Sequence, residues 1–365
     1  MQTAILLMNY GGPTKAQECG PYLRNIFMDP DLIPMSGLVR PLVAALASSR
    51  RAPKLKQNYE AMGRYSPILE ETRAQAAALE KALGESFHCT VGMRYWKPFI
   101  ADACEEISRG GFGRIVLLPL YPHESNSTTG SSINEARRCI RKLEYAGEIR
   151  EVRSFWEDPG YLEAFAAGVS SALERAPVGT RVLFSAHGLP LSVAGKDPYP
   201  GQIAATVREV SRRLNVLLDP VSVPGAIPDL HPPASCGKVR SEESGGRREG
   251  KETDAENGRC HSSLLTPTSS PFRGTLAWQS KVGPMKWLEP SVETVLEEWA
   301  GENVKELILV PVSFVNEHSE TLYELDVLYG GMARDLGIAV RRVPTLGVDS
   351  RFIGGLAARV TAACE

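Results

Sequence analysis

The sequence predicts an α/β fold of two similar Rossmann-like domains, each built on a parallel sheet, with a cleft between them. Three observations lead there. Short apolar runs alternate with helical patterns along the chain. The runs are apolar throughout rather than at every second residue, as expected of strands buried on both faces of a parallel sheet. The βαβ rhythm is also run through twice, once in each half.

In chain order the strands are "TAILLMN" (3–9), "CTVGMRY" (89–95), "RIVLLPLYP" (114–122), "RVLFSAH" (181–187), "GTLAWQS" (274–280), "ELILVPVSF" (306–314) and "IAVRRVPTL" (338–346). Helical patterns cover 68–84, 99–109, 131–145, 160–175, 201–214 and 291–301. The first domain is expected over 1–150 and the second over 151–346, with a C-terminal helix at about 347–365 packing back on the first. Polar, Gly and Pro residues gather at 8–13, 119–124, 185–190 and 311–318, where strands end, and this class of sheet binds ligands beyond those ends.

Two segments depart from the rhythm. Residues 219–273 are rich in Pro, Gly, Ser and charge, and are read as a disordered insert that cannot bury enough surface to offset its ordering entropy. The insert carries His231, Cys236, Cys260 and His261. Structural zinc sites use tighter Cys pairs than this, so the spacing argues against a metal. Residues 27–55 cluster apolar side chains ahead of a basic pair. They read equally as an irregular helix over the core or as an exposed apolar lip suited to a greasy substrate or a membrane surface.

The totals narrow the function. With 365 residues, 43% hydrophobic and 23% charged, the chain has the composition of an ordinary globular protein. A formal net charge of −2 provides no basic field for nucleic acid. Seven cysteines without a CxxC read as reduced intracellular thiols. The N-terminus lacks the basic and cleavable parts of a signal peptide, and no run approaches the roughly 20 apolar residues of a membrane span. The expected location is the cytoplasm, with peripheral contact to the inner face of the cell membrane through 27–55.

The candidate chemistry lies at strand ends. "LFSAHGLPLS" (183–192) runs a strand into His187, which alone reads as a strand-capping histidine. "VPVSFVNEHSETLYELD" (310–326) brings Glu317, His318, Glu320, Glu324 and Asp326 together. Glu320 and Glu324 share a helix face, where two carboxylates repel unless solvated, bound to a cation or sharing a proton. An acidic helix start explains Glu317 and Glu320 without function, but His318 among them makes a row able to carry protons or cations. "LYPHESNSTTGSS" (120–132) offers hydroxyls and a helix N-terminus to an anion, without the Lys of a phosphate loop. "NYGGP" (9–13) is a tight turn without a GxGxxG. "WQSKVGPMKWLEP" (278–290) places two Trp where they serve either a flat aromatic pocket or the core. No Ser-His-Asp elbow, Walker loop or zincin helix occurs.

These stretches, with "RRAPKLKQNYEAMGRYSPI" (50–68), "GMRYWKP" (92–98), "FSAHGLP" (184–190) and "KDPYP" (196–200), resemble the ferrochelatases in order and over nearly the whole chain outside 219–273. The resemblance implies the chelatase-type fold and an enzyme, a lyase of haem biosynthesis, that inserts Fe²⁺ as a substrate into a porphyrin. It implies catalytic roles for His187, Glu320 and His318, with His187 and Glu320 also contacting the metal. Porphyrin-binding roles fall on Arg51, Tyr59 and Ser66 for the propionates, Arg94, Tyr95 and Tyr10 on the metal-side wall, and Trp287 as a pocket aromatic. Protoporphyrin IX is the expected substrate. Coproporphyrin III is the alternative, and a non-catalytic porphyrin or haem carrier the reading from a different class. The expected partners are porphyrin and ferrous iron, with no nucleic acid, on a monomer or homodimer. Three departures stand out. Leu328 stands where the family carries a third carboxylate, so any relay is shorter, or Asp326 or another group replaces its outer member. Tyr10 follows some bacterial members. The cysteine-rich tail of the animal enzymes is missing, so no [2Fe-2S] cluster is expected.

Overall fold

A computed structural model describes residues 2–33, 35–220, 272–281 and 283–365. Its described strands form two parallel sheets. The first has the order β2-β1-β3-β4, from β1 (Thr3–Asn9), β2 (Phe87–Met93), β3 (Arg114–Pro119) and β4 (Glu148–Glu151). The second has the order β6-β7-β5-β8-β9, from β5 (Arg181–His187), β6 (Leu217–Leu218), β7 (Arg273–Gln279), β8 (Glu306–Pro311) and β9 (Ala339–Arg342). The central strands are where continuous apolar runs predict them. The edge strands β4, with sequence EIRE, and β6 lack that signature because an edge strand is half solvated.

Eleven α-helices connect and cover the sheets among the described residues: α1 (Cys19–Phe27), α2 (Arg40–Met62), α3 (Ile68–Leu83), α4 (Ile100–Gly110), α5 (Ser131–Lys142), α6 (Pro159–Leu173), α7 (Leu191–Ala194), α8 (Tyr199–Leu214), α9 (Val292–Gly301), α10 (Gly330–Asp335) and α11 (Ser350–Cys364). Side chains alternate across each strand, so β1 serves two cores. Ile5 and Leu7 face a core shared with Phe184, Ile308 and Val310 of the second sheet. Ala4, Leu6 and Met8 face a separate core under α4 and α5. The shared core is filled by residues of α3, α6 and α11, so the two sheets pack across common helices.

A buried polar network also joins the halves. Asn9, at the end of β1, donates its amide to Thr72 Oγ1 at 3.1 Å and to Asn316 Oδ1 at 2.9 Å. Asn316 donates to Gln75 Oε1 at 2.8 Å, and Gln75 donates to the carbonyl of Gly347 at 2.8 Å. Each amide is held by both ends, which a buried polar group requires.

The 27–55 segment is helical from Arg40 onward, as the start of the long helix α2, and four of its apolar side chains point outward: Leu38 is 94% exposed and Leu42 74%, with Val39 and Leu46 also exposed, while Ala44 is buried. No described helix is long and apolar enough to cross a membrane. Most of the expected insert lies outside the described residues, together with His231, Cys236, Cys260 and His261. Its two ends meet on the second sheet, where the Asp219 N–H donates to the Gly274 carbonyl at 2.9 Å.

Replacing Asn316 by Leu leaves the amides of Asn9 and Gln75 short of partners in a dry interface. The expected cost is about 2 kcal/mol in urea denaturation. A change below about 0.5 kcal/mol would mean that the network does not hold the halves together.

Candidate active site

The site lies beyond the carboxyl ends of β5, β7 and β8. Parallel pairing puts His187 beside Gln279, and the next turn must pass close to that strand. The Gly188 N–H donates to the Gln279 carbonyl at 2.9 Å, and a Cβ at Gly188 would stand 2.9 Å from that oxygen and 3.4 Å from the Trp287 ring. Glycine is therefore required for the approach. Pro190 pairs antiparallel with Trp287, and the Leu288 N–H donates to the Leu189 carbonyl at 3.0 Å. Trp287 is thereby seated against the turn that carries His187.

Facing His187 is a π-helix, Glu320–Tyr329, whose wider winding the sequence does not announce. His187 Nδ1 and Glu320 Oε2 are 2.7 Å apart. The carboxylate fixes the neutral ring with its proton on Nδ1 and leaves Nε2 as the acceptor. The His187 side chain is 40% exposed, so that nitrogen is available to the cleft. His318 plays a different part. Its Nδ1 accepts the Glu320 backbone N–H at 3.0 Å, so it caps the helix start and aims Glu320.

Glu324 follows one turn on. Ser280 Oγ donates to Glu324 and lies 3.4 Å from Glu320 Oε2. Gln279 Nε2 donates at 3.2 Å to both the Glu324 carboxylate and the Glu320 carbonyl. Ser185 Oγ, on β5, donates to Gln279 Oε1 at 2.7 Å and so orients that amide. Ser185, Gln279 and Ser280 lie within the quoted motifs but carry no predicted role. Only the register of β5 against β7 reveals what they bind.

The electrostatics follow from this crowding. Burial alone lowers the proton affinity of His187, but the Glu320 charge and hydrogen bond outweigh it and raise the pKa above 6.5. Burial pushes Glu320 up, and the attraction and hydrogen bond of His187 override it, so this carboxylate stays charged. Glu324 has burial and the Glu320 charge acting in the same direction, and its pKa rises to about 7. Two carboxylates with separated affinities thus stand beside one histidine. His318 is shifted downward by burial and stays neutral.

The opposite wall comes from the first sheet. The Tyr10 ring meets Tyr95 edge-on at 4.5 Å, and burial followed by the Glu320 charge keeps the Tyr10 phenol protonated. Tyr59 is buried on α2 with its hydroxyl beside Ser319 and Ser66. A Cβ at Gly12 would lie 2.5 Å from Ser66 Oγ, so the "NYGGP" turn makes room for that hydroxyl. Arg94 is 3.1 Å from the buried Asp29, which also accepts from Tyr95 and Ser131. Its charge is matched within the wall. Arg51 stands apart, exposed on α2 with its guanidinium 5.4 Å from the Phe27 ring centroid. Eight residues of helix, about 12 Å, separate it from Tyr59.

Two expectations from the sequence change. Asp326 does not extend the carboxylate line, because it binds Arg342 on the side where Arg342 also holds Glu317 at 2.9 Å. In the hydroxyl-rich stretch at 120–132, the donors at Ser125 and Asn126 are taken by a carboxylate of the protein itself. Asp197 of "KDPYP" already accepts from Ser125 Oγ at 3.0 Å and from the Asn126 N–H at 2.9 Å. His123, before that stretch, is buried with its pKa driven down to about 3.

The family model described as Ferrochelatase matches residues 2–223 and 257–364. A relative named ferrochelatase from Geotalea daltonii is 37% identical over 361 residues, covering 98% of this chain and 96% of the relative. One of the same name from Aquifex aeolicus is 35% identical, covering 98% and 97%. Among solved structures, SirB from Bacillus subtilis with Fe³⁺ aligns over 100% of this chain and 96% of its own, with a TM-score of 0.53 at 11% identity. At that identity the likeness concerns the fold alone.

Substituting Gln for Glu320 removes the charge that most raises the His187 affinity and leaves only Glu324 to oppose burial. By NMR titration the His187 imidazole is expected to titrate at lower pH in Glu320→Gln than in the wild type. Equal values in the two proteins would rule out Glu320 as the cause.

Proposed function

The chain belongs to the ferrochelatase family, whose members insert metal into porphyrin, and on that premise we propose that it inserts Fe²⁺ into protoporphyrin IX to form protohaem. The observation that carries the reading is the His187–Glu320 pair at 2.7 Å in an open cleft. A free porphyrin holds two N–H protons that must leave as the metal enters. His187 accepts a pyrrole proton at Nε2, and Glu320 stabilises the imidazolium that forms. Glu324, with a pKa near 7, is suited both to take up a proton and to release it. His318 keeps Glu320 in place. Fe²⁺ is a transient guest, held weakly by His187 and Glu320 while it sheds water, since imidazole and carboxylate suit it without closing a permanent site.

The walls have a second task, to bend the ring so that its nitrogens leave the plane. Strain of this kind is supported by binding elsewhere on the substrate. Trp287 presses from the side of His187, with Tyr10, Tyr95 and Arg94 opposite. Tyr59 and Ser66 hold one propionate by hydroxyls, and Arg51 reaches a carboxylate at the mouth. The exposed Leu38, Val39, Leu42 and Leu46 support protoporphyrin over coproporphyrin, because vinyl groups in place of two propionates leave an apolar edge for this lip. The same lip, near the basic Arg40, Arg50, Arg51 and Lys54, supports a cytoplasmic enzyme resting on an anionic membrane surface.

Purified protein assayed anaerobically with Fe²⁺ is expected to metallate protoporphyrin faster than coproporphyrin. His187→Ala should lose at least about 10²-fold, the usual loss for a general base. In the wild type, kcat/KM should rise with pH through the His187 pKa, because only the neutral ring accepts a proton. Faster metallation of coproporphyrin would overturn the substrate, and tight binding without metallation would mean a carrier.

Replacing Leu42 and Leu46 by Asp should abolish cosedimentation with phosphatidylglycerol-containing vesicles while metallation in detergent persists. Equal cosedimentation of wild type and variant would remove the lip from membrane contact.

A further inference from the structure

The π-helix that carries Glu320 and Glu324 is gripped from outside by one arginine. β9 is an edge strand of the second sheet, and its last residue, Arg342, lies opposite Leu309 of β8. The Val343 N–H donates to the Leu309 carbonyl at 2.9 Å, so the backbone at Arg342 is fixed to the sheet. Side chains alternate along a strand. Arg341 accordingly turns to Glu306 at 2.9 Å and to the Ala172 carbonyl at 3.2 Å. Arg342 turns to the acidic stretch instead. Its Nε donates to Asp326 Oδ1 at 2.5 Å and its Nη1 to Glu317 Oε1 at 2.9 Å.

These two carboxylates bracket Glu320 and Glu324 along the chain. Glu317 passes the grip inward. Its Oε1 also accepts the Thr345 N–H at 3.1 Å, and its Oε2 accepts from Thr321 Oγ1 at 2.5 Å. Thr321 Oγ1 accepts the His318 N–H at 3.1 Å, and His318 Nδ1 in turn accepts from Glu320. Burial raises the Glu317 proton affinity, but the Arg342 charge leads the interactions that override it, so the carboxylate stays charged. Asp326 lies inside the π-helix, just beyond Glu324. A helix closed by i→i+5 bonds turns less per residue than one closed by i→i+4 bonds. Rewinding this stretch as an α-helix therefore rotates Asp326 about the helix axis relative to Glu317. A guanidinium has fixed donor directions and cannot follow both carboxylates through that rotation.

We propose that Arg342 is a positioning residue: by clamping Glu317 and Asp326 it selects the π-helical winding that directs Glu320 to His187 and Glu324 to Ser280. The inference rests on the proposed metallation reaction and deepens it. Among the described residues Arg342 donates to Glu317, Asp326 and the Val343 carbonyl and to none of His187, Glu320 and Glu324. It acts on them through the helix that carries them. Without the clamp, the stretch relaxes toward the commoner α winding, and the two carboxylates turn away from their partners.

Asp326 offers the mildest test. Its side chain is 36% exposed, and its truncation leaves Arg342 paired with Glu317. Asp326→Ala is expected to lower kcat about tenfold, through misplaced carboxylates, with the KM for porphyrin unchanged and Tm shifted by no more than a few degrees. Asp326→Asn, whose amide oxygen still accepts from Nε, should keep most of the activity. In an Arg342→Met background Asp326→Ala should cost less than about twofold more, because residues acting through one another are not additive. The same loss from Asp326→Ala in both backgrounds, a loss confined to KM, or no loss in either background would overturn the proposal. Should Arg342→Met fail to fold, the contrast at Asp326 decides alone, and equal losses in the Ala and Asn variants would sink the clamp. If wild type metallates no porphyrin, the functional reading fails separately. The clamp is then read from amide hydrogen exchange over 321–329, expected to be about tenfold faster in Asp326→Ala than in Asp326→Asn. Equal exchange in the two variants would refute it.

Discussion

The hydrogen-bonded charge pair between His187 and Glu320 is the constraint around which the site is built. The two residues come from different elements, a strand end and a π-helix, and neither is useful alone. Without Glu320 the ring has no fixed tautomer and burial suppresses its basicity. Without His187 the carboxylate loses the partner that does most to keep it charged beside Glu324. Their mutual attraction spreads the proton affinities over the site, with a charged Glu320, a Glu324 near neutrality and a histidine raised above its usual range. On the proposed reading, removing two protons from a ring needs such a gradient more than any one strong base.

That pair requires a rigid surround. Gly188 admits the close pass of the β5 turn along Gln279. Ser185 orients the Gln279 amide, which then fixes Glu324 and the start of the π-helix. Behind the cleft, Asn9, Asn316 and Gln75 tie the halves with amides whose partners are all on hand. The opposite wall is stiffened by Asp29, a buried carboxylate matched by Arg94. On the proposed reading rigidity serves function, because a pocket that is to bend a flat ring must deform less than the ring does.

The lip has the opposite character. Leu38 and Leu42 are left in solvent although the cores close by are dry. Such exposure costs the folded protein nothing directly, since the same side chains are exposed when it is unfolded, but it makes the surface adhesive. The substrate itself is flat and poorly soluble. On the proposed reading, these side chains would form an apolar entrance beside a polar, proton-handling floor.

The continuous apolar runs of β1, β3, β5 and β8 by themselves determined a doubly repeated parallel α/β fold, because burial on both faces leaves no polar positions to confuse the pattern. His187 and Glu320 were legible only as candidates at strand ends: His187 alone read as a strand cap and Glu320 as an acidic helix start, and the family resemblance supplied their roles. The tertiary structure alone decided the rest. The edge strands β4 and β6 carry no burial signature. The π-helical winding of 320–329 follows from packing rather than propensity. The roles of Gln279, Ser280 and Ser185 depend on which strand lies next to β5, a contact across 94 residues for Ser185 and Gln279. Asp326 and Asp197 show the same limit: each stood among plausible functional groups, and only the fold showed Arg342 and the Ser125 turn already engaging them. A sequence records which groups a chain can bring to a site. Which of them remain free there depends on partners supplied by distant segments, and these are fixed only when the chain has folded.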